Sequence, residues 1–437
     1  MNNATIAFRA ALLIAVLATA PLASAQSPEA QHEHAVPAEP QHQHPAESLF
    51  STRDASGTAW LPDNTPMYGL HHELWGWQVM LHGNAFLQLL DEQAPEHRGA
   101  TQAGSTNWVM AMARRATGST RFGLRTMVSL EPWTIPGCGY PNLLATGEFC
   151  DGDSIHDRQH PHDLFMELAA QVDRPLSGAL RWEAYGGLVG EPALGPPAFP
   201  HRVSALPNPL SPIAHHWLDA THITFGVVTA GVYDAKWKAE MSVFNGREPD
   251  ERRYDFDFAA LDSVAGRVWF LPTESLALQV SAGHLNEAEP GPAGTPSVNT
   301  DRFTTSATYH RRFGGNHFWA TTLAWGVNRE LGDATNGLIG ESSVSLSGRH
   351  VWFGRVEMNG KPAHDLHIHE SNDVFTVAKL QGGYTRYFDA RRGLTPGVGV
   401  SVSAALVPDA LKPRYGGVGT GMGVFLTLRP AQHEKLP

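Results

Sequence analysis

The sequence predicts an all-β protein, a single transmembrane antiparallel β-barrel of about 16 strands. Three features of the 437-residue chain support this fold class. Apolar and polar side chains alternate with a period of two in many segments, which is typical of strands whose two faces meet different surroundings. Short turns and longer connections alternate along the chain. Its 43 glycines, its 12 tryptophans and its evenly spread turn signals favour one repetitive β-architecture.

The alternation is clearest in the β-hairpin predicted between residues 164 and 188. Apolar side chains occupy every second position of Leu164–Val172 and of Leu180–Leu188. The positions between them include Glu167, Arg181 and Glu183, and a turn with Pro, Ser and Gly joins the two segments. One face of each strand is therefore apolar and the other carries charges.

The same pattern predicts sixteen strands in all. Short turns follow every second strand, and longer connections such as Pro132–Asp163, Glu191–Thr221 and Arg329–Gly337 follow the others. Short periplasmic turns, long extracellular loops and an even strand number are typical of outer-membrane barrels, and they place both termini in the periplasm. The predicted strands are Trp77–Leu90, Asn107–Thr117, Thr120–Glu131, Leu164–Val172, Leu180–Leu188, His222–Tyr233, Lys236–Gly246, Phe256–Phe270, Ser275–Glu287, Arg302–Phe313, His317–Asn328, Leu338–Ser347, His350–Lys361, Val374–Phe388, Gly397–Val407 and Tyr415–Arg429.

The bilayer gives a physical reason for closing such strands into a ring. Every backbone amide inside a membrane needs a partner within the protein, so only helices and closed barrels cross it. A barrel needs strands of about ten residues that are apolar toward lipid and polar toward a watery interior. A soluble barrel or sandwich would show the same alternation with its apolar face inside, so the pattern alone leaves that alternative open. The loop lengths and the strand number favour the membrane barrel.

The N-terminus predicts export. Arg9 precedes the apolar run Ala10–Ala20, and small residues stand before Gln26. Residues 1–25 are therefore expected to be a secretory signal peptide, with a first transmembrane helix as the alternative. Residues 26–66 are rich in His, Pro and Gln and poor in apolar residues, which predicts a disordered periplasmic tail. The barrel would then occupy residues 67–437, in the outer membrane of a Gram-negative bacterium.

The net charge and the cysteine content limit the kinds of molecule that the protein is expected to bind. The net charge is −11 and no basic patch with interleaved aromatic residues occurs, which argues against nucleic acid. Outer-membrane lipid, small solutes and metal ions remain as expected partners. Cys138 and Cys150 are the only cysteines, and in an exported chain they are expected to form a disulfide. Two thiolates on one metal ion are the alternative, but a CxxC spacing is missing.

Several stretches resemble known proteins. From Trp75 to Arg429 the chain is similar to bacterial outer-membrane porin-like β-barrels. The stretches DRQHPHDLFMELA (157–169), NPLSPIAHHWLDATHITFGV (208–227) and FNGREPDERRYDFDF (244–258) also resemble an uncharacterised family of bacterial outer-membrane proteins. The resemblance implies a barrel and a link with heavy-metal handling, but no mechanism. One departure is the C-terminus, since such barrels often finish on an aromatic residue and here residues 430–437 follow the last predicted strand.

Histidine clusters in the predicted loops suggest metal binding. Three long connections carry several histidines beside carboxylates, and the tail carries further pairs. Imidazole with carboxylate suits zinc, copper, nickel or iron, and Cu or Zn is the ion we expect. Ordinary solvated or hydrogen-bonded histidine is the alternative at each position. The candidate ligands are His156, His160, His162, His215, His216, His364, His367 and His369 in the loops, and His32, His34, His42 and His44 in the tail.

The charged inner faces predict a porin-like channel for small solutes. A barrel of about 16–18 strands leaves an aqueous channel, and a water-filled pore tolerates charges of both signs. The alternative is a plugged interior in which these charges pair, and Pro132–Asp163 is long enough to fold inward. Porins of this size are often trimers, so a homo-oligomer is a further expectation. The predicted pore-lining residues are Arg121, Arg125, Glu167, Arg181, Glu183, Lys238, Glu240, Arg355, Glu357 and Lys379.

Two other functions compete with a channel. The first is a metal-binding surface protein on a non-conducting barrel. The second is an outer-membrane hydrolase, since Ser154 lies near His156 and Ser371 near His369 in the sequence. Proximity in sequence is a weak signal because a catalytic triad is defined by geometry. No hydrolase, protease or nucleotide-binding motif appears in a persuasive setting, so we expect no enzyme.

Overall fold

The structure is a computed structural model that describes residues 48–432, apart from residues 97, 151–152, 290–295, 315, 369 and 372 and the side chains of Glu148 and Asp153. The predicted signal peptide lies outside the described residues. So do the first part of the predicted tail, with His32, His34, His42 and His44, and the loop residue His369.

Sixteen antiparallel strands close into a barrel, which confirms the predicted fold class. The sheet has 17 strands in total, because the short strand β1 pairs only with the beginning of β2. The last strand pairs with β2 from Thr420–Gln93 to Leu428–Ala85 and so closes the ring. Two more strands, β5 and β6, form a separate hairpin between β4 and β7. Among the described residues, no helix has the length and apolar character needed to cross a membrane.

The strands have the following bounds. They are β1 Leu70–Leu74, β2 Trp77–Gln93, β3 Ala100–Thr117, β4 Thr120–Val128, β5 Tyr140–Cys150, β6 Asp153–Gln159, β7 Phe165–Ser177, β8 Leu180–Val189, β9 Val227–Tyr233, β10 Trp237–Phe244, β11 Ser263–Thr273, β12 Leu276–Glu289, β13 Val298–Phe313, β14 His317–Glu330, β15 Asp333–Leu346, β16 His350–Pro362, β17 Val374–Tyr387, β18 Leu394–Leu406 and β19 Val418–Pro430. Single-turn α-helices occur at Glu131–Thr134, His215–Leu218 and Lys412–Tyr415.

Each of the sixteen predicted strands corresponds to one strand of the ring, but one predicted loop is wrong. The connection predicted at Arg329–Gly337 is a turn of two residues, Leu331 and Gly332, with left-handed φ values of 51° and 95°. The residues after it pair with β14 although they are polar on both faces, so alternation could not reveal them as strand. Strands β9 and β11 also begin later than predicted, at Val227 and Ser263.

The outside of the barrel is apolar and the inside is polar. On β18, Val398, Val400 and Val402 are 42–58% exposed, and the residues between them face inward. Across the ring, Leu124 is 51% exposed whereas its neighbour Arg125 is only 3% exposed. A soluble barrel would reverse this arrangement. An apolar outer surface on a closed ring of strands fits lipid, and the protein is an outer-membrane barrel.

The barrel encloses three segments of its own chain. We call residues 48–66 the N-terminal insert, residues 129–164 the hairpin insert, which contains β5 and β6, and residues 190–226 the loop insert. The end of the barrel with the turns at Gly118 and Gly178 is the short-turn end, and the opposite end is the long-loop end. The N-terminal insert lies toward the short-turn end, the loop insert in the middle and the hairpin insert toward the long-loop end.

The ordered N-terminal insert differs from the disordered tail expected there. Phe50, Trp60 and Leu61 are each less than 9% exposed, and Asp54 forms a β-bridge with Trp60. Trp60 and Leu61 pack with Trp269 and other side chains of the wall. These few apolar residues order the segment because the barrel surrounds them, a tertiary effect that composition does not reveal.

Candidate functional site: the filled lumen

The predicted pore-lining side chains all lie on the inside of the barrel. Seven of the ten are buried, namely Arg125, Glu167, Lys238, Glu240, Arg355, Glu357 and Lys379. The other three, Arg121, Arg181 and Glu183, line a cavity of about 310 Å³ at the short-turn end. Their inward direction follows from the pleat of the strands, which sends alternate residues to opposite faces.

Most of these wall charges pair with one another. Arg125 Nε lies 2.8 Å from Glu167 Oε1, and Lys238 Nζ lies 2.6 Å from Glu183 Oε1. Arg355 Nε is 3.2 Å from Glu341 Oε2, and Lys379 Nζ is 3.3 Å from Glu92 Oε1. Burial of unpaired charges would be expensive, so pairing is what permits these groups to lie in a crowded interior.

The cationic side chains of the wall also hold the inserts. Arg125 donates to the carbonyl oxygen of Ala55 at 2.6 Å, in the N-terminal insert. Arg355 donates to the carbonyl oxygen of Leu210 at 2.8 Å, in the loop insert. Lys379 Nζ donates to Asn142 Oδ1 at 2.8 Å, in the hairpin insert. The alternative of a plugged interior therefore describes this conformation, and the 310 Å³ cavity lies between the wall and the N-terminal insert.

The loop insert contributes a charge of its own. Arg202 has no exposed side-chain surface, and its guanidinium lies 2.5 Å from Asp219 Oδ2 and 2.6 Å from Glu341 Oε1. Asp219 belongs to the same insert and Glu341 to β15 of the wall. Arg355 approaches the other oxygen of Glu341. One carboxylate of the wall therefore joins the insert to the neighbouring strand β16.

Buried and half-buried histidines form a column through the middle of the lumen. The ring centroids of His82 and His201 are 5.6 Å apart, and those of His215 and His222 are 5.1 Å apart. His162 lies 5.4 Å from His222. A cavity of about 80 Å³ is lined by His82 and His201, and a smaller cavity is lined by His201 and His222. His201 thus separates two neighbouring cavities.

The loop-insert histidines of this column are neutral near pH 7. Burial lowers the pKa of His201 and of His222 well below the usual value. Burial also lowers the pKa of His215 to about 4, although the carboxylate of Asp219, 2.9 Å from Nδ1, acts in the opposite direction. Neutral imidazoles act as hydrogen-bonding groups or as metal ligands.

His216 lies in a different environment, at the long-loop end. Its Nδ1 is 3.0 Å from Glu248 Oε1 and 3.8 Å from Glu289 Oε1. Burial lowers its pKa, but the two carboxylates outweigh burial and raise the pKa to about 10. The imidazole ring packs against Gly147 of the hairpin insert. His216 and the two glutamates come from three separate parts of the chain.

The other predicted metal ligands lie at several places. His156 Nδ1 is 2.8 Å from Asp157 Oδ2, and its ring centroid is 4.6 Å from that of His367. His162 Nδ1 is 2.9 Å from Glu131 Oε2, and His364 Nε2 is 3.0 Å from Asp365 Oδ1. His160 Nδ1 lies 3.0 Å from the carbonyl oxygen of Pro161. The three loop clusters therefore do not meet at one centre among the described residues, and metal binding by them stays a prediction.

The predicted disulfide between Cys138 and Cys150 is present, and it closes the hairpin insert. The hydrolase alternative has one supporting contact, since Ser154 Oγ and His367 Nε2 are 2.8 Å apart. The nearby carboxylate of Asp157 instead contacts His156, Arg98 and the backbone nitrogen of Leu144. A serine–histidine contact by itself does not establish a triad, which also needs a carboxylate that orients the same imidazole.

Sequence reasoning missed several groups of the lumen. Glu248 and Glu289 lie at the ends of a loop and a strand, and nothing in the sequence joins them to His216. Arg267 of β11 donates to the carbonyl oxygen of Gly195 at 3.0 Å, and its alternation with apolar neighbours was a usable signal. His82 alternates in the same way on β2.

No known protein-family model matches the chain, and no curated protein matches its sequence. Among solved structures, the chain is similar to an anion-selective porin from Comamonas acidovorans, with 13% identity, a TM-score of 0.45, and coverage of 81% of this chain and 99% of that one. A Salmonella typhi OmpF complex with daunomycin has 10% identity and a TM-score of 0.49, with 82% and 100% covered. Acinetobacter baumannii OccAB1 has 10% identity and a TM-score of 0.42, with 80% and 96% covered. Identities and TM-scores at this level assign no function to this chain.

Proposed function

We propose that the protein is an outer-membrane channel for small solutes and that its own inserts close the lumen in the conformation described. The observation that carries the proposal is the charged inner wall, whose contacts with the inserts are ion pairs and hydrogen bonds. Water can take over such contacts when an insert moves, because it offers equivalent partners to both groups. A permanently filled interior would gain more from apolar side chains of similar volume.

The residual cavity at the short-turn end supports the same proposal. Its volume is about 310 Å³, and Arg121, Arg181 and Glu183 line it together with residues of the N-terminal insert. Charges of both signs at a pore entrance suit small polar or ionic solutes rather than apolar ones. The blocked part of the passage lies between this cavity and the long-loop end, where the loop and hairpin inserts contact the wall.

The second candidate function is a barrel that binds ligands without conducting. The fully buried network of Arg202, Asp219 and Glu341 favours it, because separating three paired charges is costly unless water enters at the same time. The two functions differ in whether the inserts move. Conductance therefore distinguishes them directly.

Planar-bilayer recording of the refolded protein tests the proposal. The informative variant replaces residues 141–158 of the hairpin insert with a short Gly-Ser linker, which joins the positions of the paired residues Tyr140 and Gln159. We expect rare or small current steps from the unaltered protein and larger, longer-lived steps from the variant. The control is Arg349→Ser, at an exposed turn of the short-turn end, which should conduct like the unaltered protein.

Folding is checked separately by the heat-dependent shift in electrophoretic mobility that intact barrels show in detergent. Absence of current from folded samples of both the unaltered protein and the hairpin variant would eliminate the channel and leave the binding barrel.

A further inference from the structure

We infer that His216, Glu248 and Glu289 form a binding site for a divalent transition-metal cation at the long-loop end of the lumen. One ligand atom from each residue lies within 4.8 Å of the other two. The inference goes beyond the proposed channel and does not depend on conduction, since a closed barrel could hold the ion equally well.

The geometry suits an ion of the first transition series. His216 Nδ1 is 3.0 Å from Glu248 Oε1 and 3.8 Å from Glu289 Oε1. Ligands at about 2.0–2.2 Å from a tetrahedral ion are roughly 3.3–3.6 Å apart. The three atoms thus surround a position that an ion could occupy after shifts of a few tenths of an ångström, which glutamate side chains accommodate.

The imidazole is buried and held in place from two sides. A Cβ added to Gly147 would lie 2.3 Å from His216 Cε1, so the ring packs directly on a backbone that only glycine permits there. The backbone of the same residue is held as well, since Asn328 Nδ2 donates to the main-chain carbonyl oxygen of His216 at 3.2 Å. Positioning of this kind directs Nδ1 toward the glutamates before a ligand arrives.

The hydrogen bonding of the His216 ring, at Nδ1 in particular, is a second indication of a ligand at the cluster. The side chain is 6% exposed, and neither nitrogen has a hydrogen bond within the described part of the chain. The 3.0 Å approach to Glu248 is an ion-pair distance without the angles of a hydrogen bond. Buried polar groups are usually satisfied, and an absent ion is one reason for an exception.

The donor set selects the class of cation. Two carboxylates neutralise a divalent charge, and the imidazole favours zinc, copper, nickel or iron over calcium and magnesium, which take oxygen ligands. Glu248 and Glu289 retain side-chain exposures of 16% and 26%, so an ion could reach them from the long-loop end. The alternative occupant is a proton, which would leave an imidazolium paired with two carboxylates.

Cobalt(II) is a suitable probe because its visible spectrum reports coordination by protein ligands. The full chain, refolded in detergent, would be titrated with Co²⁺ and then with Zn²⁺. We compare the unaltered protein with His216→Asn and Glu289→Gln, and with His284→Asn as a matched control. His284 also pairs with a carboxylate, Asp301, but its side chain is 45% exposed and it is not part of the cluster.

We expect one tight equivalent of Co²⁺ with a visible band, displaced by Zn²⁺, in the unaltered protein and in His284→Asn. Affinity should fall at least tenfold in both His216→Asn and Glu289→Gln. The same spectrum and affinity in all four proteins would overturn the inference, because the ion would then be bound elsewhere. Absence of a band in the unaltered protein would overturn it as well and would identify the cluster as an imidazolium ion pair only.

The mobility assay in detergent separates loss of the metal site from loss of the fold. Glu289→Gln preserves the shape of the side chain, so the folded barrel should persist in the mobility assay. If only this conservative variant folds, its Co²⁺ spectrum alone decides the question.

Discussion

Two arcs of the inner wall hold the same inserts by different means. On strands β2, β3, β4 and β7 the inward side chains include five buried methionines, which pack with Phe50, Ile223 and Phe225 of the inserts. On strands β10 to β17 the inward side chains are mostly polar, and the cationic ones among them donate to backbone carbonyls of the inserts. We call these the methionine arc and the charged arc. The methionine residues of the first arc are Met80, Met110, Met112, Met127 and Met166.

The difference indicates where the inserts would separate from the wall. Apolar contacts of the methionine arc have no substitute in water, so moving the inserts away from it loses their burial energy. Water can replace the hydrogen bonds and ion pairs of the charged arc, because it hydrogen-bonds to both partners once they separate. We therefore expect the inserts to stay on the methionine arc and to open a passage along the charged arc.

The largest effect should come from the contact between the loop insert and the charged arc, at Arg202. Arg202→Met leaves the carboxylates of Asp219 and Glu341 buried without their common partner, and this should lower the free energy of unfolding by about 3–5 kcal/mol. Urea unfolding in lipid vesicles measures the change. If water already reaches these groups, the loss of stability will be below about 1 kcal/mol. That result would mean that the charged arc is hydrated and contributes little to holding the inserts.

The second effect concerns the methionine arc. Met110 has no exposed surface, and Met110→Ala should lower the free energy of unfolding by about 2–5 kcal/mol because it leaves a cavity. Met110→Leu keeps most of the volume and should cost less than about 1.5 kcal/mol. The loss at Met110 should be unchanged at high ionic strength, because the substitution removes no charge. A loss of stability at Met110 that depends on salt would contradict the apolar character that distinguishes the methionine arc from the charged arc.

The smallest effect is expected outside both arcs. Arg349 and Asp389 form an ion pair at the short-turn end, with side-chain exposures of 50% and 79%. Arg349→Ser should change the free energy of unfolding by less than about 1 kcal/mol, since water and salt screen exposed pairs. A loss comparable to that at Arg202 would mean that charge removal in general, and not burial in the lumen, determines the result.

The barrel could be predicted from the sequence because each strand shows, in its own alternation of apolar and polar residues, which face meets lipid and which faces inward. Val398, Val400 and Val402 face lipid and their neighbours face inward, and this alternation is readable in a few residues without knowledge of the partner strand. The strand Asp333–Leu346 shows where alternation fails to predict a strand. Its first residues extend beyond the apolar belt and are polar on both faces, so the alternation predicts a loop there.

The content of the lumen could not be predicted in the same way. The N-terminal insert has a polar composition and becomes ordered only because Trp60 and Leu61 meet the wall. The cluster at His216 joins residues 32 and 73 positions away from the histidine, since Glu248 belongs to another connection and Glu289 ends strand β12. Which charge meets which insert depends on the three-dimensional path of the loops. Sequence identifies the candidates but not their partners.

Each loop that fills the barrel is fixed at both ends to adjacent strands, from β4 to β7 and from β8 to β9. A displaced loop therefore cannot diffuse away, and its return is a first-order event with a high effective concentration set by its own length. Any blocked and conducting states of a single molecule should then interchange at rates that do not change with the amount of protein in the membrane.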